Sequence, residues 1–205
     1  HEKSISQTAE NITVITAEEI EAINAHTLTD ILNIITGVQV EIRGGPGDIA
    51  MFRIQGSEYR HALVLIDGVS LNNLAENIAD IGAIPVQNIE RIEIIKGPAS
   101  SAWGSSLGGV VNIITKSTGD APLPKGTVSA SYGENNTGDF RGEIYGKAGK
   151  AGYYLYVGHL GSDGFNPHND VSANNFYSKI KWAFTAKSEF LLTLGYDKGE
   201  RGLGE

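Results

Sequence analysis

The sequence predicts an α+β unit, a small mixed sheet with short helices, followed by a run of antiparallel strands. Three observations carry this reading. Up to about residue 115, helix-start signals alternate with short apolar strands. Residues 119–124, Gly-Asp-Ala-Pro-Leu-Pro, then break the pattern as a linker would. Beyond them helix signals vanish, and glycines and aromatics rise in period-2 alternation. The break divides the chain into 1–118 and 119–205.

In the first part, residues 13–15 read as a short strand, and Thr16 opens a capping box with Glu19, starting a helix that runs to about Ile23. Thr27 and Asp30 begin a second helix, with Leu28, Ile31, Leu32 and Ile35 on one apolar stripe and Gly37 placed as a left-handed C-terminal cap. That stripe needs a sheet to cover it. Val38, Val40 and Ile42 alternate with Gln39, Glu41 and Arg43 as one strand, and residues 63–66 form another, ending at the turn signal Asp67-Gly68. Ile92 and Ile94 alternate with Arg91 and Glu93 as a half-buried strand, and residues 110–114 are a nearly continuous β-branched run. With both helices capped and both stripes covered, residues 11–116 are expected to fold on their own.

In the second part, strands are expected at 126–132, 139–147, 153–160, 175–185 and 189–197, joined by short turns as a meander. Phe176, Ile180, Trp182 and Phe184 fall on one face, against Tyr177, Lys179, Lys181 and Ala183. Phe190, Leu192, Leu194 and Tyr196 repeat the pattern against Leu191, Thr193, Gly195 and Asp197. This suits a soluble sheet with one buried face, and equally a transmembrane barrel strand, apolar outside and mostly polar inside.

Composition removes several functions. The chain has 205 residues, 40% apolar and 20% charged, an ordinary globular balance rather than a disordered one. A formal charge of −8 without a Lys/Arg cluster argues against a nucleic-acid partner. Zero cysteines exclude disulfides, thiolate metal sites and cysteine catalysis. The longest apolar runs, such as 62–66, fall far short of the roughly 18–20 residues of a spanning helix, which leaves a β-barrel open. No N-terminal stretch combines a basic start with an apolar run, so a signal peptide is either removed or was never there.

Catalytic and metal motifs are weak. Gly104-Ser105-Ser106-Leu107-Gly108 matches the nucleophile elbow of hydrolases, but that motif needs a helix after the turn and here a strand follows, so an enzyme using Ser106 is not expected. The same glycines lack the Lys of a P-loop and the following helix of a dinucleotide site. Five scattered histidines show no zinc spacing. Asp163, Asn166, His168, Asn169, Asp170, Asn174 and Asn175 crowd one stretch, which reads as turn chemistry or as oxygen ligands for calcium, with Asp163 and Asp170 as the candidate ligands.

Three segments together carry a resemblance: FRIQG (52–56), VLIDGVSLN (64–72) and IERIEIIKGPASSAWGSSLGGVVNIITK (89–116). In this order they resemble the plug domain of TonB-dependent outer-membrane receptors, with residues 11–116 like the plug and 125–205 like the opening strands of the barrel. The nearest likeness is to cobalamin and siderophore receptors. The resemblance implies an α+β plug followed by an incomplete transmembrane β-barrel, since about 22 strands would be needed for closure. It implies a transporter rather than an enzyme, seated in outer-membrane lipid of a Gram-negative cell. Its partners would be a scarce bulky nutrient and the TonB protein, reached through a TonB box upstream of His1. It further implies that the external ligand rests on the loop Gly44-Gly45-Pro46-Gly47-Asp48 and the loop 72–80, brought to the same end of the plug. Gly45 and Gly47 would allow close backbone approach there, beside Asp48 as a further binding residue, with Asn72, Asn73 and Asn77 as hydrogen-bond donors; plain turn chemistry is the alternative. Cobalamin receptors carry calcium in loops where Asp163 and Asp170 fall, and no other cofactor is implied. Arg53, Glu90, Arg91, Glu93 and Lys96 are either a solvated face or, in an enclosed plug, partners for wall charges such as Lys179 and Lys181. The rival is a soluble periplasmic or secreted α+β ligand-binding module with a β-sheet domain.

Overall fold

The computed structural model describes residues 11–43, 47–82, 84–98, 106–119, 121–185 and 188–202. Strand β1 (Asn11–Thr16) passes into helix α1 (Ala17–Ile23) at Thr16, whose N–H donates to Glu19 Oε2 at 2.8 Å while its Oγ1 accepts from the Glu19 N–H at 3.4 Å. That is the expected capping box. Helix α1 stops at Asn24 in the left-handed region, φ 54°. Helix α2 (Leu28–Asn33) starts where Asp30 accepts from the backbone N–H groups of His26 at 2.8 Å and Thr27 at 2.9 Å. Its Leu28, Ile31 and Leu32 are fully buried, each contributing roughly 1.5–3 kcal/mol.

The second helix ends earlier than expected. Its C-cap is Ile34, right-handed, and Gly37 with φ +84° lies in the turn beyond, its carbonyl accepting from the Gln55 N–H at 2.7 Å. The β-branched run Ile34-Ile35-Thr36 stands where the last helical turn would be, and such residues crowd the preceding turn.

The helices accompany a five-stranded mixed sheet made of β1 with β4 (Ala62–Ile66), β5 (Val69–Ser70), β6 (Ile89–Lys96) and β7 (Gly109–Thr115), in the order β1-β6-β7-β4-β5. Only the β4–β7 pairing is parallel. Asp67 and Gly68 turn β4 into β5 with φ 48° and 83°, as a two-residue hairpin of this hand requires. Strands β2 (Val38–Ile42) and β3 (Ala50–Ile54) pair separately, and Ala50, Phe52 and Ile54 are buried.

Strand β6 is not half-buried. It lies between β1 and β7, and Glu93 and Ile95 are 9% and 1% exposed. Glu93 stands directly opposite Asn112 and accepts from its Nδ2 at 2.9 Å and from Arg91 Nε at 2.9 Å, so the buried carboxylate keeps its hydrogen bonds.

Two compact units result, one of His1–Arg43 with Ile49–Thr115, the other of Gly44–Asp48 with Lys116–Glu205. The second contains β8 (Lys125–Tyr132), β9 (Gly138–Ala148), β10 (Ala151–Ser162), β11 (Val171–Thr185) and β12 (Ser188–Arg201), an antiparallel meander in chain order. All five strands fall where the alternation placed them, most running a few residues further. Phe176 stands opposite Tyr196, Ile180 opposite Leu192 and Trp182 opposite Phe190, so one face is an exposed apolar surface. The other face carries the buried Tyr154, Tyr156 and Tyr177, with Tyr154 stacked on Tyr145 at 6.5 Å and edge-on to Tyr177 at 6.4 Å. Among the described residues the sheet does not close, leaving β8 and β12 as edges. No described helix is long and apolar enough to cross a membrane.

Candidate functional site

After β5 the chain leaves the sheet edge, and Leu71 donates its N–H to the Val64 carbonyl at 3.0 Å. Asn72 then continues the edge with its side chain. Its Oδ1 accepts from the Val64 N–H at 2.9 Å, and its Nδ2 donates to the carbonyls of Ala62 at 2.9 Å and Asn77 at 2.8 Å. The amide thus stands in for a peptide unit of a longer β5. Asn73 accepts from the Glu76 N–H at 2.7 Å and donates to the Ile78 carbonyl at 3.0 Å. Asn77, at φ 56°, donates to the Arg60 carbonyl at 2.6 Å. The three amides expected to donate to a ligand therefore donate inside the protein, and what they build is a braced loop. At its apex Leu74 is fully exposed.

The end of this loop meets the start of β3. Asp80 Oδ1 accepts from the N–H groups of Ala50 at 3.1 Å and Gly82 at 3.0 Å, and the Ile81 N–H donates to the Ala50 carbonyl at 3.0 Å. The 72–80 loop is thus tied to the start of β3 within the first unit. Of the 44–48 loop, Gly45 lies outside the described residues. Gly47 and Asp48 are buried rather than open. At Gly47, φ is +82° and a Cβ would come within 2.9 Å of Leu160 Cδ2 and 3.1 Å of Val171 Cγ1, so the position takes no side chain.

The Asp/Asn stretch is divided between a loop and a strand. Asn174 and Asn175 belong to β11, where they meet His159 Nδ1 at 3.0 Å and Asp197 Oδ1 at 2.6 Å. Asp163 accepts from Asn136 Nδ2 at 2.5 Å, and the Asp170 carbonyl accepts from the Gly202 N–H at 2.8 Å. Among the described residues no three His, Asp or Glu side chains are placed to hold a metal ion.

Ser106 donates its hydroxyl to the His61 carbonyl at 2.8 Å and accepts from the Gly109 N–H at 3.1 Å, and β7 follows it. It braces a turn. Gly104 and Ser105 of the same motif lie outside the described residues.

Charged side chains find partners nearby. Arg53 Nη2 donates to Tyr59 Oη at 2.6 Å and lies 3.6 Å from Glu41, whose own bond from the Tyr59 hydroxyl holds its carboxyl below the usual range; the hydrogen bond to Tyr59 likewise raises Arg53. Arg91 pairs with Glu93 at 2.9 Å and Glu90 at 3.3 Å, and Lys181 with Glu189 at 2.8 Å. Sequence reasoning did not single out Glu143, which accepts from Lys116 Nζ at 2.8 Å and from Tyr154 Oη at 2.8 Å. The only local hint was its place on the polar side of an alternating strand.

The description of the TonB-dependent Receptor Plug Domain matches residues 4–110. The chain belongs to the TonB-dependent receptors. Among its relatives, the vitamin B12 transporter BtuB of Vibrio vulnificus is 42% identical over 106 residues, 51% of this chain and 17% of that protein. BtuB of Photobacterium profundum is 34% identical over 171 residues, 82% of this chain and 28% of that protein. The fold is shared with the ferripyoverdine receptor of the Pseudomonas aeruginosa outer membrane, at a TM-score of 0.78 and 18% identity, over 96% of this chain and 26% of that one. The chain thus spans under a third of the length of these proteins.

A TonB-dependent receptor is a Gram-negative outer-membrane protein and not an enzyme. This favours the receptor over the soluble module, and the antiparallel strands β8–β12 that follow the plug are consistent with an incomplete barrel.

Proposed function

We propose that the intact receptor imports a corrinoid of the cobalamin type. The support is the sequence likeness to two vitamin B12 transporters at 42% and 34% identity, where the likeness to siderophore receptors is one of fold. In this reading the ligand rests on the outer end of the plug, on the loops 44–48 and 72–80. Asn72, Asn73 and Asn77 hold the second loop in shape, and its backbone groups and the exposed Leu74 meet the ligand, which suits a molecule with polar amides around an apolar ring. In the first loop Gly45 is the residue that lets the backbone approach the ligand, while the buried Gly47 and Asp48 hold the loop's base. TonB, engaged upstream of the described residues, draws on the plug to release the ligand inward.

Equilibrium binding of cyanocobalamin to cells carrying the full-length receptor tests this. Saturable binding that survives loss of TonB, with uptake that does not, is the expected result. Binding of ferric siderophores in place of cyanocobalamin would overturn the choice of ligand, and uptake independent of TonB would overturn the mechanism.

A further inference from the structure

Residues 116–124 join the end of β7 to the start of β8; 119–124 are expected to be a plain linker, yet the segment is fastened to the sheet beside it. Lys116 Nζ lies 2.9 Å and 2.8 Å from the two carboxylate oxygens of Glu143 on β9. One of those oxygens also accepts from Tyr154 Oη of β10 at 2.8 Å. The Glu143 side chain is only 11% exposed, and these two partners supply its hydrogen bonds. Further along, the Gly119 N–H faces the Tyr153 carbonyl at 3.5 Å, and the Ala121 carbonyl accepts from the Lys147 N–H at 2.9 Å.

Where the segment crosses the strands, side chains are missing. A Cβ on Gly119 would lie 2.8 Å from Gly146 N and 2.9 Å from its Cα. A Cβ on Gly152 would lie 2.8 Å from Thr118 Oγ1 and 3.1 Å from its Cβ. Three glycines therefore let backbone pass against backbone, and a charge pair locks the crossing at its upstream end. A free linker requires neither.

We propose that residues 116–119 together with Ala121 are a strap, with Glu143 as the positioning residue that locks it on β9 and β10. The strap stays fastened to its own sheet during transport, so that movement is confined to residues up to Thr115. The second statement rests on the transport reading above; the first does not.

Amide exchange on the full-length receptor in lipid nanodiscs reads the lock without any ligand. The Lys147 amide should be protected, and Glu143→Gln should speed exchange over 116–119 and at Ala121 at least tenfold while leaving β11 unchanged. Lys116→Met should do the same from the other side. Equal exchange in wild type and both variants overturns the lock. Because the chain has no cysteine, Thr118→Cys with Gly152→Cys gives a clean cross-link. Cyanocobalamin uptake by the oxidised pair should stay within twofold of the reduced pair, and a tenfold loss restored by reductant overturns the fixed strap. Absence of uptake by wild type would count against the transport reading alone, and exchange would still decide the strap.

Discussion

The two units use the same amino acids to opposite ends. In the first, isoleucine and leucine from helices and sheet converge on one core, with Leu28, Ile31, Leu32, Ile92 and Ile94 wholly buried. In the second, the large apolar residues lie on the outside, with Trp182 and Phe184 45% and 60% exposed, and tyrosines and charges are turned in. Water explains the first arrangement, because apolar burial is what drives it. The second is the arrangement expected of a strand whose outer face meets hydrocarbon. Exposure is therefore a statement about the solvent as much as about the residue.

The largest effect should come from the core. Replacing Leu32 with Ala should destabilise the first unit by about 2–5 kcal/mol, the cost of a buried leucine cavity, as read by denaturant unfolding of residues 11–116. A loss below about 1 kcal/mol would mean that α2 is not seated on the sheet as described.

The comparison sharpens at residues of similar exposure. Ile34 and Ile180 are 57% and 38% exposed. Arginine at Ile180 should destabilise the intact receptor in a bilayer by about 2–4 kcal/mol if it lies near the midplane. Arginine at Ile34 should cost under about 0.5 kcal/mol, as at an ordinary surface position. Equal costs would show that both residues face the same medium.

A smaller effect is expected at Asn72. Its change to Ala removes three hydrogen bonds and should cost about 1–3 kcal/mol, with faster amide exchange at Val64 and across 72–78. Unchanged exchange would show that the loop does not depend on that amide.

The smallest effect belongs to Glu41. Its carboxyl is held low in the folded state, so its contribution is present above the unfolded carboxylate range and lost as pH falls through the folded value. Glu41 is exposed and screened, so Glu41→Gln should leave the denaturation midpoint at pH 7 unchanged within error and flatten the profile only in acid.

Local chemistry was legible in the sequence and distant partners were not. Thr16 with Glu19 and Thr27 with Asp30 marked both helix starts because a capping box is complete within four residues. The meander was readable because side-chain period and turn residues are local too. Glu93 looked solvated because its partner Asn112 is 19 residues away, and only the pairing of β6 with β7 brings them together. The amides of Asn72 and Asn77 looked available to a ligand for the same reason, since their acceptors Ala62 and Arg60 lie 10 and 17 residues back. The Lys116–Glu143 pair, 27 residues apart, left no trace in either segment alone.

The central claim, that β8–β12 turn an apolar face to lipid, is tested most directly by spin labels placed one at a time along β11 and β12 of the full-length receptor in a bilayer. Labels at Phe176, Ile180, Trp182, Leu192 and Leu194 should be reached by oxygen and shielded from a water-soluble nickel reagent, while labels at Tyr177, Thr193 and Gly195 should show the reverse preference or none. A period-2 pattern in that sense is the expected result, and nickel access along the outer set equal to that of the inner set would contradict the account.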